Sequence, residues 1–82
     1  MTKLECNTPI NVSAFWFDRH CETVPKRIEF EGHSYTFVDS GLRYHIKRGA
    51  NIICLFDLTD GESLFRLRRD NNSAWNLLSI SR

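Results

Sequence analysis

The sequence has little of the material from which most enzyme sites are built. It holds four glycines and two prolines in 82 residues. It lacks a glycine-rich phosphate loop, a His-Glu-x-x-His zinc motif and a Gly-x-Ser-x-Gly nucleophile turn. Cys21 follows His20 directly, but neighbouring residues on a strand point to opposite faces and do not pair as nucleophile and base. We predict a protein that is not an enzyme and uses no cofactor.

Cysteine and long apolar runs are also scarce. The three cysteines, Cys6, Cys21 and Cys54, are an odd number without a Cys-x-x-Cys pair, so we expect reduced thiols and no metal site. The first residues lack the apolar core of a signal peptide. The longest apolar run, residues 52–56, is far shorter than the roughly 20 residues that cross a bilayer. These absences predict a cytoplasmic protein without a membrane segment.

Net charge is nearly absent, but its distribution is uneven. Eleven Lys and Arg against ten Asp and Glu give a net charge of +1, which excludes a strongly basic nucleic-acid protein. Residues 1–41 hold four basic and six acidic side chains, whereas residues 42–82 hold seven basic and four acidic ones. The second half is therefore basic, and a local site for a polyanion stays open.

What the sequence does contain is enough for one small folded domain. Hydrophobic residues make up 41% and charged residues 26%, and six Phe, two Trp and two Tyr supply large buried area. A length of 82 residues leaves no material for a second core. We predict a single domain over residues 1–82, with residues 1–8 as an N-terminal tail.

Alternation of apolar and polar residues dominates the chain and indicates antiparallel strands. We predict strands at residues 10–17, 27–31, 34–38, 42–47, 51–58, 63–69 and 75–80. Six to seven such strands predict an all-β meander that closes into a small SH3-like barrel or folds over as a two-layer sheet. In an alternative interpretation, Ser13 begins a short helix that runs through Cys21.

Turn residues and alternation also predict which side chains share a face. Gly32-His33 is a predicted two-residue hairpin turn of type II′, and Arg48-Gly49 and Asp60-Gly61 mark later turns. Alternation places Ile28 and Phe30 on one face of their strand. We predict that this inward face meets Tyr35 and Phe37 of the next strand. In the strand at 42–47 we predict Leu42, Tyr44 and Ile46 inward and Arg43, His45 and Lys47 outward.

The outward cations form the first candidate binding site. Arg43, His45 and Lys47 share one strand face, with Arg48 at the turn, and Arg66 and Arg68 share another. If both faces lie on the same side of the molecule, they form a basic patch suited to nucleic acid. Exposed aromatic platforms for bases would be Trp16, Tyr44 or Trp75. The alternative is a solvated strand face neutralised by acidic side chains of neighbouring strands.

Surplus apolar residues form the second candidate site. Ile53 and Leu55 lie in a strand with few polar residues, and Trp16 lies in the cluster Phe15-Trp16-Phe17. Apolar surface that a small domain cannot cover is typical of a homodimer interface or a docking site for a protein partner. The alternative is that barrel closure buries both faces. We predict a non-catalytic binding module for protein interaction or self-association, with nucleic-acid binding as the alternative.

The order of these signals also resembles a known family. The matching positions are Pro9, Ile10, Val12, Pro25, Phe30, Gly32, Tyr35, Asp60, Gly61, Phe65 to Asp70, Trp75 and Leu77. They resemble a family of small uncharacterised prokaryotic β-domains, which also occur at the ends of proteins resembling error-prone DNA polymerases. Phe30 stands where the family often has Trp. The resemblance implies a link to DNA metabolism and brings no catalytic residue with it.

Overall fold

The computed structural model describes residues 3–17, 23–38, 41–70 and 74–82. These residues form eight β-strands and no helix, which confirms the all-β prediction and adds one strand to it. The strands are β1 (Lys3–Pro9), β2 (Asn11–Phe17), β3 (Thr23–Phe30), β4 (His33–Thr36), β5 (Leu42–Arg48), β6 (Asn51–Thr59), β7 (Leu64–Asp70) and β8 (Trp75–Ser81). Because β2 occupies residues 11–17, the alternative helix from Ser13 is wrong there; its end at Cys21 lies outside the described residues.

The strands form two antiparallel sheets, so the two-layer alternative is the one adopted. The large sheet has the order β1-β8-β7-β6-β5 and the small sheet has the order β2-β3-β4. No closed barrel is formed by the strands described above. The chain passes from the large to the small sheet through Ile10, whose backbone N–H donates to the Trp75 carbonyl at 3.1 Å.

The strand β1 replaces the predicted N-terminal tail. It pairs with β8 from Lys3 opposite Ser81 onward, with a bulge between Glu5 and Thr8. Its alternation turns Cys6 onto the core, and the Cys6 thiol lies 3.4 Å from the Leu77 carbonyl oxygen as a donor. The prediction of a tail over residues 1–8 is therefore wrong. Residues 5–9 alternate between exposed and half-buried positions, and a short strand of this kind forms at a sheet edge when an adjacent strand, here β8, is available to pair with it.

The core lies between the two sheets. Its buried members are Val24, Ile28, Phe30 and Phe37 from the small-sheet side and Phe56, Leu58, Phe65, Leu67, Trp75 and Leu77 from the large sheet. Phe65 is fully buried. Its ring centroid lies 5.0 Å from that of Tyr35 and 5.3 Å from that of Phe37. This aromatic cluster fastens one sheet to the other, since such pairs add attraction to the area they bury.

The hairpin β3–β4 turns one step earlier than predicted. Phe30 pairs with His33, so the two turn residues are Glu31 and Gly32, with φ of 50° and 77°. Two positive φ values in succession are those of a type I′ turn rather than type II′. The shift moves the pairing by two residues, so Ile28 lies opposite Tyr35 rather than Phe37, and all three side chains remain on the core face. The predicted facing is therefore confirmed although the turn is not.

Glu31→Asn is expected to stabilise the protein by about 1 kcal/mol, because a non-glycine residue in the left-handed region is strained and Asn tolerates it better. Urea unfolding measures the gain as a higher midpoint at constant slope. Glu29→Asn is the matched control: it makes the same change on β3, where φ is not positive, and should give no gain. Equal effects of the two variants would contradict this account.

Candidate interaction surface

The strand β5 is the most exposed element of the large sheet. It stands at the sheet edge next to β6, and each of its seven residues is exposed. Its apolar residues Leu42, Tyr44 and Ile46 are 61%, 43% and 39% exposed. The prediction that they face inward is wrong, because in this end of the large sheet the packed core does not reach β5 on either face.

The strand register shows which face each row of β5 occupies. Residues directly opposite in an antiparallel ladder share a face. Tyr44 lies opposite Leu55, and Leu55 lies opposite Arg68 on β7. This row alternates with the core row, in which Phe56 lies opposite Leu67. We call the exposed apolar row and its half-buried β6 neighbours the outer apolar face; it consists of Leu42, Tyr44, Ile46, Ile53 and Leu55.

The predicted interface residues Ile53 and Leu55 thus lie beside exposed apolar side chains. Trp16 does not join them. It lies on β2 opposite Val24 and packs against the core cluster. The structure therefore brings two of the three predicted interface residues together and assigns the third to the small sheet.

The cations of β5 lie on the other side of the strand. Arg43 lies opposite Phe56, so Arg43, His45 and Lys47 share the face of the large sheet that bears the core. They remain exposed because they lie at the sheet edge. Arg48 ends β5 at the hairpin and alternates onto the same face as Ile46. The predicted orientation of β5 is thus reversed: Arg43, His45 and Lys47 lie on the core side, and the apolar row lies outside together with Arg48.

The other two predicted cations, Arg66 and Arg68, lie on the outer face and are engaged in ion pairs. Arg66 donates to both carboxylate oxygens of Asp57, at 2.7 and 2.9 Å. Arg68 donates to both carboxylate oxygens of Asp70 at the same two distances. Apart from Arg48, the two basic sets therefore lie on opposite faces of one sheet, and the condition for a single basic patch is not met.

These ion pairs shift pKa values on the outer face. The hydrogen bonds from Arg66 to Asp57, followed by the attraction of that carboxylate, raise the Arg66 pKa above its ordinary value. The hydrogen bond from Arg68 lowers the pKa of Asp70. A lowered carboxyl pKa stabilises the fold above the ordinary carboxyl pKa, and the contribution is lost as the pH falls through the folded value. Around neutral pH both pairs are intact and border the apolar residues with fixed polar groups.

Of the three aromatic residues predicted as base platforms, only Tyr44 is exposed. Trp75 is buried, with the Arg69 guanidinium carbon 5.0 Å from its ring centroid and the Phe56 ring at 5.2 Å. Trp16 is half-buried against the core. Aromatic stacking on bases needs free ring faces, and neither tryptophan offers an exposed ring beside the β5 cations.

Sequence reasoning missed the exposed apolar row of β5, namely Leu42, Tyr44 and Ile46. Alternation predicts which residues of a strand share a face, but it does not predict which of the two faces is covered by the core. One signal was present in the sequence. A strand followed at once by Arg48, Gly49 and the polar Asn51 leads into a hairpin end in water, where the core is thinnest.

Two further observations concern function classes. Across residues 3–17, 23–38, 41–70 and 74–82, no three His, Cys, Asp or Glu side chains are grouped so as to hold a metal ion. The same ranges contain no helix that is long and apolar enough to span a membrane.

No family model, curated protein or solved structure matches this chain. The resemblance to the small prokaryotic β-domains therefore stays a prediction.

Proposed function

We propose that this protein is a non-catalytic binding module that contacts another protein through its outer apolar face. The observation that carries the proposal is the exposure of Leu42, Tyr44 and Ile46 in one row at a sheet edge. Contiguous exposed apolar side chains with a polar border are typical of interaction sites. Here the border is formed by the ion pairs of Arg66 and Arg68 on the same sheet face.

Tyr44 is the proposed anchor of the contact. It lies between Leu42 and Ile46 along β5 and opposite the half-buried Leu55 on β6, so it stands near the middle of the face. Tyrosine is enriched among the residues that dominate binding energy, because its ring gives a large contact area and its hydroxyl group gives a hydrogen bond. Leu42 and Ile46 then exclude water around it.

Nucleic-acid binding is supported less well than protein binding. A basic strand face would neutralise several phosphates at once, and the affinity would depend on their number. The candidate cations are divided between two sheet faces, and two of the guanidinium groups already bind carboxylates.

A reducing, cytoplasmic location belongs to the proposal, since Cys6 and Cys54 are both free thiols.

A photo-reactive phenylalanine analogue at Tyr44 should form one discrete covalent adduct with a protein in the cells that produce the chain. The reason is that an anchor side chain in an interface is held against its partner. Gel mobility and mass spectrometry of the adduct measure the result. A product of twice the chain mass would identify self-association, and any other mass would identify a different protein partner.

The matched control places the same analogue at Glu62, an exposed residue of the β6–β7 turn. This position should give no discrete adduct. The variant Leu55→Asp, combined with the analogue at Tyr44, should remove the adduct while circular dichroism shows a retained β fold. An absence of any Tyr44 adduct, or equal adducts from both positions, would contradict the proposed function.

A further inference from the structure

The edge formed by β5 is the most regular edge in the described part of the chain. Natural sheets block their edges with short strands, bulges and proline. The edge strand β1 has a bulge and ends at Pro9, β2 has register shifts, and β4 has four residues. By contrast, β5 pairs with β6 without interruption from Leu42 to Arg48. Among these edges, β5 therefore has the most regular backbone for pairing with another strand, and its basic side chains act against a strand that is itself basic.

The β5–β6 hairpin fixes which backbone groups point outward. Arg48 lies opposite Asn51, so the turn consists of Gly49 and Ala50, with a φ of 58° at Gly49. Residues that flank a two-residue turn bond to each other, and bonded and non-bonded pairs then alternate along the ladder. His45 and Lys47 occupy the non-bonded positions. Their backbone N–H and C=O groups thus point away from β6, toward the open side of β5.

The two faces of β5 define the side chains that an added strand must present. On the outer apolar face, Tyr44 and Ile46 would meet apolar side chains of the added strand. On the opposite face, Lys47 and His45 would meet its alternate residues, and acidic side chains there give attraction across the strands. We infer that β5 binds an extended segment of another protein in which acidic residues alternate with apolar residues. This inference rests on the proposed protein-binding function and specifies its partner.

A second copy of this chain fits the β5 edge poorly. Two-fold antiparallel pairing keeps each strand's faces on matching sides, so the β5 cations of one copy would face those of the other. Pairing centred on His45 would place the two copies of His45 opposite each other. It would also place Lys47 of each copy opposite Arg43 of the other, which brings like charges together. Each like-charge pair weakens strand pairing by about two- to fivefold, whereas an opposite-charge pair strengthens it. The inferred partner is therefore a different, acidic strand.

The test uses defined peptides and the intact protein. The probe is a peptide of about seven residues, with blocked ends, in which Glu and Val alternate. Its binding is measured by the amide chemical shifts of the isotope-labelled protein. It should shift the amides of β5 and bind at least about tenfold more tightly than the peptide alternating Lys and Val. The block isomer of the Glu and Val peptide has the same composition, but all its Glu residues precede all its Val residues. It should bind weakly, since it cannot place acidic and apolar side chains on separate faces of a strand.

Three changes probe the backbone and charge contacts separately. A peptide N-methylated on its pairing edge should bind about tenfold or more weakly, because it lacks the donors to β5. His45→Pro should weaken binding by a similar factor, since proline is tolerated at an outward edge position but removes the N–H group. His45→Thr is its matched control and should stay within about twofold. Lys47→Glu should weaken binding of the acidic peptide by about fivefold.

The outcomes separate this inference from the proposed function. Equal binding of the block isomer, or of an oligothymidylate of equal charge, would overturn edge addition and identify a site for any polyanion. Unchanged binding of the N-methylated peptide would overturn it as well. If no peptide shifts β5 while Tyr44 still gives its protein adduct, the proposed function stands and the inferred partner is wrong. If neither result appears, both fail.

Discussion

Gly41→Ala is expected to lower the free energy of unfolding by about 3 to 5 kcal/mol, which is a large part of the stability of a small domain. Gly41 has a φ of 61°, in the left-handed region that costs other residues about 1 to 2 kcal/mol. An added Cβ would also overlap the backbone carbonyl oxygen of Asp57 and lie 3.1 Å from Cδ2 of Leu58. Urea unfolding followed by tryptophan fluorescence measures the loss.

Gly49→Ala is the matched control for this prediction. Gly49 has nearly the same φ, 58°, but nothing lies within 4 Å of the position that its Cβ would occupy. Its substitution should therefore cost only the backbone strain, about 1 to 2 kcal/mol. The difference between the two variants isolates the close approach of Gly41 to β6. If both variants lose the same stability, steric overlap at Gly41 is not the cause.

The effect of Gly41 reaches the interaction surface directly. Leu42, the next residue, begins β5 opposite Asp57, and Asp57 is the buried partner of Arg66. A shift of the backbone at Gly41 would therefore displace the start of the apolar row and its polar border together. A partly folded Gly41→Ala population should lose the Tyr44 adduct in proportion to the unfolded fraction.

Phe65→Ala is the second substitution for which we expect a large loss, about 3 to 5 kcal/mol. Phe65 lies on β7 in the large sheet, is fully buried, and contacts Tyr35 and Phe37 with its ring. Truncation would leave a cavity between the two sheets and remove the aromatic contacts that join them. Chemical denaturation should give a much lower midpoint, and near-ultraviolet circular dichroism should weaken before the far-ultraviolet signal.

Phe17→Ala removes the same number of atoms from a side chain that is 71% exposed at the end of β2. It should change the free energy of unfolding by less than about 0.5 kcal/mol. This contrast separates burial of the Phe65 ring from any general need for phenylalanine in the chain. Comparable losses from the two substitutions would show that the two sheets are not held together at Phe65.

Local patterns in the sequence were sufficient to predict most strands and some of their contacts. Alternation correctly places Ile28 and Tyr35 on the same face although the predicted turn lies one residue late, because the predicted and observed registers differ by two residues. The Asp60-Gly61 turn is also confirmed, with the Asp60 carboxylate accepting the backbone N–H of Ser63 at 2.8 Å. Such features depend on residues that are close in the sequence, and local chemistry fixes them.

Features that depend on distant parts of the chain were predicted poorly. Glu31 in the left-handed region has no propensity signal, since the residue is there because the β3–β4 register requires it. The orientation of β5 depends on how far the small sheet extends over the large one, and the alternation of residues 42–47 does not encode that extent. Ile53 and Leu55 could therefore be predicted as candidate interface residues, but the face that they share with the exposed apolar row of β5 could not.

The pairing of β1 with β8 has a consequence for how the chain folds during synthesis. Lys3 lies opposite Ser81, and Cys6 and Leu77 are 71 residues apart in the sequence. Because β1 is synthesised before β8, its backbone groups cannot pair in the large sheet until β8 has been made. Long-range pairings of this kind slow folding and leave strand edges open in the meantime. Completion of the large sheet is thus a late event, set by when residues 75–81 emerge rather than by the speed of local hairpins.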